Sequence, residues 1–144
     1  MRYLAALTIA AALAACDQPT PTEPVGQAPR LSASSEVNLA GKGTAELLSP
    51  LIIETHVSFV CPEGATAHIL AQVTQKNPDG TFTTGSGVED EPCRGGPNEA
   101  SVFVAASLKG VGWAIDRAHA TWTMTVDVVK ERATDEKDIL ITRN

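Results

Sequence analysis

Residues 118–128 read AHATWTMTVDV, and this stretch decides the fold class. Apolar residues occupy every even position from Ala118 to Val128, whereas His119, Asp127 and three threonines occupy the odd positions. Successive side chains of a β-strand point to opposite faces of a sheet, so strict alternation rich in Thr and Val predicts a long strand with one buried face. We therefore predict an all-β domain.

The same alternation recurs on both sides of this strand. It appears in LIIETHVSFVC (51–61), ATAHILAQVTQ (65–75), TFTTGSGV (81–88) and ASVFVAASLKG (100–110), and VNLAGKGTAELL (37–48) supplies one or two further strands. Turn-forming residues such as Asn-Pro-Asp-Gly at 77–80 separate these segments.

Two segments lack the alternation and are predicted to be connections. EDEPCRGGPN (89–98) has the composition of a loop, and KERATDEKD (130–138) is predicted to be a charged connection, with room for one helical turn, before a closing strand at 139–142. Seven or eight short strands without a helical segment favour an antiparallel β-sandwich, with a small closed barrel as the alternative.

The first residues predict an exported protein. Arg2 precedes an apolar run over residues 4–15, which is shorter than the roughly 20 residues that a membrane-spanning helix needs. A basic start, a short apolar core and small residues at its end are typical of a secretory signal peptide.

The end of this run, Leu13-Ala14-Ala15-Cys16, resembles the lipobox of bacterial lipoproteins. The resemblance implies cleavage before Cys16, lipidation of that residue and anchoring to a bacterial cell membrane. Asp17 resembles a retention signal for the inner membrane, but this rule differs between lineages, so inner and outer membrane both stay open. Ordinary cleavage after Ala14, which also follows small residues, is the alternative.

The chain therefore divides into three parts: a lipoprotein signal peptide over residues 1–15, a lipidated Cys with a Pro-rich tether over 16–35, and a β-domain over 36–144. The tether reads DQPTPTEPVGQAPRLSASS after Cys16 and holds four prolines. Such a segment has almost nothing to bury and is semi-extended.

Two cysteines, Cys61 and Cys93, remain for the domain. In an oxidising compartment they most simply form one disulfide, which would stabilise the fold by about 3–4 kcal/mol in the chain-entropy model. A metal site or a redox pair is the alternative, but there is no CxxC spacing to support either.

Residues 37–142 resemble the immunoglobulin-like single-disulfide domains of exported bacterial proteins. The resemblance is carried by VSFVCP (57–62), the loop around Cys93 and AHATWTMTV (118–126). It implies an immunoglobulin-like β-sandwich, although no Trp lies between the two cysteines and no Tyr lies two residues before Cys93.

Charge and motifs restrict the function classes. The net charge of −6 without a basic run argues against a nucleic-acid partner and against electrostatic docking to anionic lipid. There is no GxSxG or HExxH motif, and the three histidines, His56, His68 and His119, fall on outward faces of the predicted strands. We predict no catalytic residue, no metal and no cofactor.

Two ligand-binding alternatives remain. His56, His68 and Glu54 share an outward face and could hold a metal ion if their strands pair. Acidic residues in predicted loops could bind calcium through oxygen ligands; these are Asp79, Glu89, Asp90, Glu91 and Glu99.

Trp113 and Phe103 are the candidate contact residues. Trp113 follows two glycines and either contacts a carbohydrate or peptide partner or covers one end of the core. Phe103 lies on the face opposite Val102 and Val104. The sequence thus predicts a lipid-anchored, non-catalytic binding module for an envelope protein or glycan. A metal-binding protein or enzyme and a purely structural spacer are the alternatives.

Overall fold

A computed structural model describes residues 36–107 and 111–143 of the chain. The predicted signal peptide, Cys16 and the tether lie outside the described residues. The described part contains seven β-strands and no helix. The strands are β1 (Asn38–Ser49), β2 (Ile52–Val60), β3 (Thr66–Lys76), β4 (Phe82–Pro92), β5 (Pro97–Ala106), β6 (Arg117–Val126) and β7 (Arg132–Thr142).

The strands form a closed barrel in the order β1-β2-β5-β4-β3-β6-β7. Two short ladders close the barrel. β1 pairs with β7 in parallel, from the pair Thr44 and Leu140 to the pair Glu46 and Thr142. β4 pairs with β5 at two positions, Gly85 with Ala106 and Ser86 with Ala105. The prediction of an antiparallel, immunoglobulin-like sandwich is therefore wrong, and the alternative of a closed barrel is confirmed. Alternation reveals which face of a strand is buried, but it does not reveal which strands pair.

Two predicted connections are also wrong, because strands occupy them. β4 continues to Pro92 and β5 begins at Pro97, so the predicted loop at 89–98 shrinks to a short turn around Cys93. β7 begins at Arg132, and nine residue pairs with β6 run from Thr125–Arg132 to Arg117–Leu140. Charged residues occupy both registers of these segments: Glu89 and Glu91 pair with inward residues of β3, and Asp135 and Lys137 pair with inward residues of β6. None of these four side chains is fully buried.

The hydrophobic core lies inside the barrel, and the even-numbered residues of β6 contribute to it. Trp122 is fully buried, and its indole Nε1 donates to Thr55 Oγ1 at 3.3 Å, while Thr55 Oγ1 donates to the Val102 carbonyl at 3.2 Å. The buried indole N–H and hydroxyl are therefore paired, as buried polar groups need to be. The largest other fully buried side chains are Ile53, Ile69, Met124, Ile139 and Ile141.

The strand directions give the barrel two different ends. The disulfide end holds residues 36–37 and the turns 61–65, 93–96 and 127–131. The loop end holds the turns 50–51 and 77–81, the β5–β6 connection (described at 107 and 111–116) and residue 143. Residues 36–37 lead into β1 at the disulfide end.

Candidate functional site

The disulfide end is fixed covalently. Cys61 and Cys93 form a disulfide with a Cα–Cα distance of 5.5 Å, and both residues are buried, so the predicted bridge is confirmed. The backbone N–H of Cys93 donates to the Ala65 carbonyl at 2.9 Å, and the N–H of Gly64 donates to the Cys93 carbonyl at 3.1 Å. The bridge and these bonds join the β2–β3 turn to the β4–β5 turn.

Trp113 covers the loop end of the core. It is only 4% exposed, and its backbone N–H donates to the Pro50 carbonyl at 2.6 Å. Its ring lies over Gly85, where a Cβ would be 2.7 Å from Trp113 Cζ2. Of the two roles predicted for Trp113, the structure places it in that of a cover, away from the exposed surface.

Buried polar side chains hold residues 111–114 of the β5–β6 connection through hydrogen bonds. Gln75, 1% exposed, donates through Nε2 to the Ala114 carbonyl and accepts through Oε1 from the Ala114 N–H, both at 2.9 Å. Thr83, fully buried, donates to the Val111 carbonyl at 2.6 Å. Satisfied buried networks of this kind select a single arrangement. Sequence reasoning missed this clamp, although Gln75 continues the inward register of Ala67 to Val73.

The clamped connection presents apolar side chains to solvent. Val111 is 59% exposed and Ile115 is 57% exposed, and Leu51 in the neighbouring β1–β2 turn is 54% exposed. The two turns touch, because a Cβ on Gly112 would lie 2.3 Å from the Pro50 carbonyl oxygen. We call these three residues, Leu51, Val111 and Ile115, the loop-end apolar patch. Exposed apolar residues gathered on adjoining turns mark contact surfaces more often than scattered ones do.

Phe103 lies elsewhere, on the outer wall of the barrel. It is 51% exposed and faces Glu54 across the β2–β5 ladder. Val88, 65% exposed, pairs with Leu70 on the adjoining strands, and Gly87 beside it approaches the Phe103 carbonyl oxygen. The structure therefore does not bring the two predicted contact residues, Phe103 and Trp113, into one exposed surface.

Charge is distributed unevenly between the two ends. At the disulfide end, the described turns and the four residues of each strand nearest to that end carry nine carboxylates and three basic side chains. The same segments at the loop end carry four carboxylates and three basic side chains. The loop-end apolar patch thus sits in a nearly neutral setting, whereas the disulfide end is strongly acidic.

The three histidines occupy separate places on the outer wall. His68 Nδ1 lies 2.7 Å from Asp90 Oδ1, His119 Nδ1 lies 3.1 Å from Asp138 Oδ1, and His56 Nδ1 lies 3.0 Å from Ser101 Oγ. β2 pairs with β1 and β5, whereas β3 pairs with β4 and β6, so His56 and His68 do not share a ladder. Among residues 36–107 and 111–143, no group of three His, Cys, Asp or Glu side chains could hold a metal ion.

Ser101 and His56 are the one pair that resembles a nucleophile and its base. They line a polar groove of ≈ 250 Å³ with Lys42, Glu91, Glu99 and Ala100. A serine nucleophile needs a base that a third group orients. In the described residues the His56 ring bonds only to Ser101, and the nearby Glu99 carboxylate pairs with Lys42 at 3.1 Å.

The acidic residues considered for calcium do not form one site among the described residues, since only Glu91 and Glu99 line the same groove. Asp79 belongs to the β3–β4 turn at the loop end, whereas Glu89, Asp90 and Glu91 follow one another on β4 toward the disulfide end. The side-chain hydroxyl and the backbone N–H of Thr81 bond to Asp79 and hold the pKa of its carboxyl below the ordinary 3.8. Asp79 therefore acts as a turn-forming residue.

Comparisons with known proteins do not name a family. No protein-family model and no curated protein matches the sequence. In the part of the chain that the structure describes, no helix has the length and apolar character needed to cross a membrane.

Proposed function

We propose that this protein is exported, anchored to a bacterial cell membrane through a lipid on Cys16, and acts there as a non-catalytic binding module. The basic start, the apolar run and the Leu13-Ala14-Ala15-Cys16 motif support the anchor. The Cys61–Cys93 disulfide agrees with an oxidising compartment outside the cytoplasm. The barrel carries the contact surface.

One observation carries the binding proposal: Val111 and Ile115 of the patch are exposed on the segment 111–116, which buried Gln75 and Thr83 hold through hydrogen bonds to Val111 and Ala114. A surface fixed before binding loses less conformational entropy when a partner docks. A structural spacer would have no need of this arrangement.

The partner that fits the patch is a protein with an apolar surface. Aliphatic side chains in a nearly neutral setting suit such a surface. Sugars stack on exposed aromatic rings, and the patch presents none, because Trp113 is buried and the exposed Phe103 lies on the outer wall. The protein partner is therefore preferred to a glycan.

The first described residues and the patch lie at opposite ends of the barrel. Residues 36–37 lead into β1 at the disulfide end, whereas the patch is at the loop end. A tether of this length, at about 3.1 Å per residue where it is extended, holds the barrel tens of Å from the lipid.

Photo-crosslinking in the native envelope tests this proposal. A photoreactive amino acid replaces Ile115 in the patch or, as a control, the exposed Thr125 of β6 near the disulfide end. We expect a discrete protein adduct from position 115 that the double variant Leu51→Ser, Val111→Ser loses, and no such adduct from position 125. The absence of any adduct, or the same adducts from both positions, would overturn the proposal and favour a spacer.

A further inference from the structure

A second surface feature crosses four strands of the outer wall beside the loop end. Phe82 on β4 pairs with Lys76 on β3, and Arg117 on β6 pairs with Leu140 on β7. The next outward residues, Thr74 and His119, pair across β3 and β6. Outward residues are two positions apart on each strand, so Lys76 and Arg117 lie next to each other on the wall.

These residues line a groove. It has a volume of ≈ 250 Å³, and its walls include Thr74, Lys76, Phe82, Arg117, His119 and Asp138. A second groove of ≈ 210 Å³ continues from Arg117 and Asp138 toward Leu140 and Gly43. Phe82 is 56% exposed and forms an apolar wall at one side.

The groove carries two cationic side chains, Lys76 and Arg117, and one carboxylate, Asp138. Lys76 and Arg117 form no ion pair within 4.0 Å in the described part of the chain, where the four pairs involve Lys42, His68, His119 and Lys137. Asp138 Oδ1 lies 3.1 Å from His119 Nδ1 and pairs with neither cation. Like charges beside each other on a sheet face are destabilising, and an oxyanion bound between Lys76 and Arg117 would offset this repulsion.

We propose that this groove binds an oxyanion, a carboxylate or a phosphate, carried by a molecule with an aromatic or apolar part. The planar guanidinium of Arg117 suits bidentate contact with an oxyanion, and Lys76 adds a second charge beside it. Phe82 receives the apolar part of the ligand. The volume suits a small ligand or a terminal group of a larger one. The groove is separate from the loop-end apolar patch, so the proposal does not depend on the partner protein.

Nuclear magnetic resonance titration of the full chain in neutral detergent tests the proposal. The probes are benzoate and phenyl phosphate, with benzamide as the neutral analogue and inorganic phosphate as the anion without a ring. We expect saturable shifts of the Lys76, Phe82, Arg117 and His119 amide signals with the two aromatic anions. Benzamide should bind about tenfold or more weakly, since a charge-assisted hydrogen bond is worth about 1.5–3 kcal/mol. Inorganic phosphate should also bind about tenfold or more weakly, because it lacks the ring that Phe82 would bury. The tighter of the two aromatic anions identifies the oxyanion.

Matched variants complete the test. Arg117→Gln and Lys76→Gln should each weaken benzoate or phenyl phosphate binding about tenfold. Lys42→Gln, which removes a cation paired with Glu99 on another part of the wall, should leave binding unchanged. Signal shifts that do not saturate would overturn the proposal, as would benzamide or inorganic phosphate binding as tightly as the aromatic anions. An equal loss of affinity in the Lys76, Arg117 and Lys42 variants would also overturn it.

Discussion

Gly41 of β1 lies directly against the indole of Trp122. A Cβ at position 41 would be 2.1 Å from Trp122 Cζ3, so the ring occupies the space that any larger residue would need. The Gly41 N–H donates to Asp135 Oδ2 at 2.8 Å, and Lys137 Nζ donates to the Gly41 carbonyl at 2.9 Å. The absence of a side chain at this position thus lets β1 close over the core and lets β7 side chains hold the seam.

Substitution of Gly41 tests this relationship. Gly41→Ala should lower the free energy of unfolding by about 1–3 kcal/mol, because fully buried Trp122 is hydrogen-bonded to Thr55 and has no free space to move into. Urea denaturation under oxidising conditions measures the change. Gly43→Ala is the matched control: its nearest neighbour would be Lys137 Cδ at 4.0 Å, and we expect a change within about 0.5 kcal/mol. Equal effects of the two variants would contradict the account.

The disulfide should contribute measurably to stability. The bridge spans a sequence separation of 32, and loop-closure entropy predicts a loss of about 3–4 kcal/mol in the Cys61→Ala, Cys93→Ala double variant. Reductant should destabilise the wild-type barrel toward the level of this variant and leave the variant itself unchanged. A wild-type protein that is indifferent to reductant in urea denaturation would show that the bridge does not stabilise the fold.

The Gln75 clamp should control the β5–β6 connection. Gln75→Leu leaves the N–H and carbonyl of Ala114 without their partner and should cost about 1–3 kcal/mol. Hydrogen exchange of residues 111–116 should accelerate more than that of the β6 strand. Gln72→Leu changes an exposed residue of the same strand and is the control. Uniform acceleration over the whole barrel would instead indicate general destabilisation.

Asp127 should make stability depend on acid pH. The backbone N–H of Thr66 donates to its carboxylate at 3.0 Å and holds its pKa below the ordinary 3.8. A carboxyl with a lowered pKa in the folded state stabilises the fold above its unfolded pKa, and this contribution disappears as the pH falls through the folded pKa. Asp127→Asn should therefore be less stable than wild type at neutral pH, and the difference should shrink at about pH 2.

Denaturation curves at the two pH values measure this difference. Glu136→Gln removes the same charge from an exposed position of β7 and controls for net charge. A deficit of Asp127→Asn that stays constant with pH would show that the carboxylate does not form this bond in solution.

Ser101 should not behave as an activated nucleophile. His56 is within hydrogen-bond distance of it, but no third group among the described residues orients the imidazole. We expect a fluorophosphonate probe to leave Ser101 unmodified, as peptide mass mapping would show. Labelling of Ser101 that His56→Ala abolishes would instead support the enzyme alternative.

Sequence patterns predicted the strands, their buried faces and the disulfide, because alternation and cysteine count are local properties. They did not predict closure of the barrel, since the seam joins Gly41 to Asp135 and Lys137, residues that lie 94 and 96 positions away. The start of β7 was missed because the segment from Arg132 is charged at inward and outward positions alike, including Asp135 at the seam.

The candidate contact surface was predicted only in part. Phe103 is exposed, whereas the glycines at positions 110 and 112 left two roles open for Trp113, contact with a partner or cover of the core. The buried position of Trp113 depends on the Pro50 carbonyl and on Gly85, which belong to other strands and turns. Lys76 and Arg117, which form no ion pair among the described residues, are far apart in the sequence. They become neighbours only through the β3–β6 ladder.

The most direct test of the central claim is intact mass spectrometry of the protein taken from its native membrane, with and without reductant. The account predicts a chain that begins at Cys16, carries the added mass of a lipid, and gains two hydrogens when Cys61–Cys93 is reduced. An unlipidated chain, whether it starts at Ala15 or retains residues 1–15, would contradict the lipid anchor.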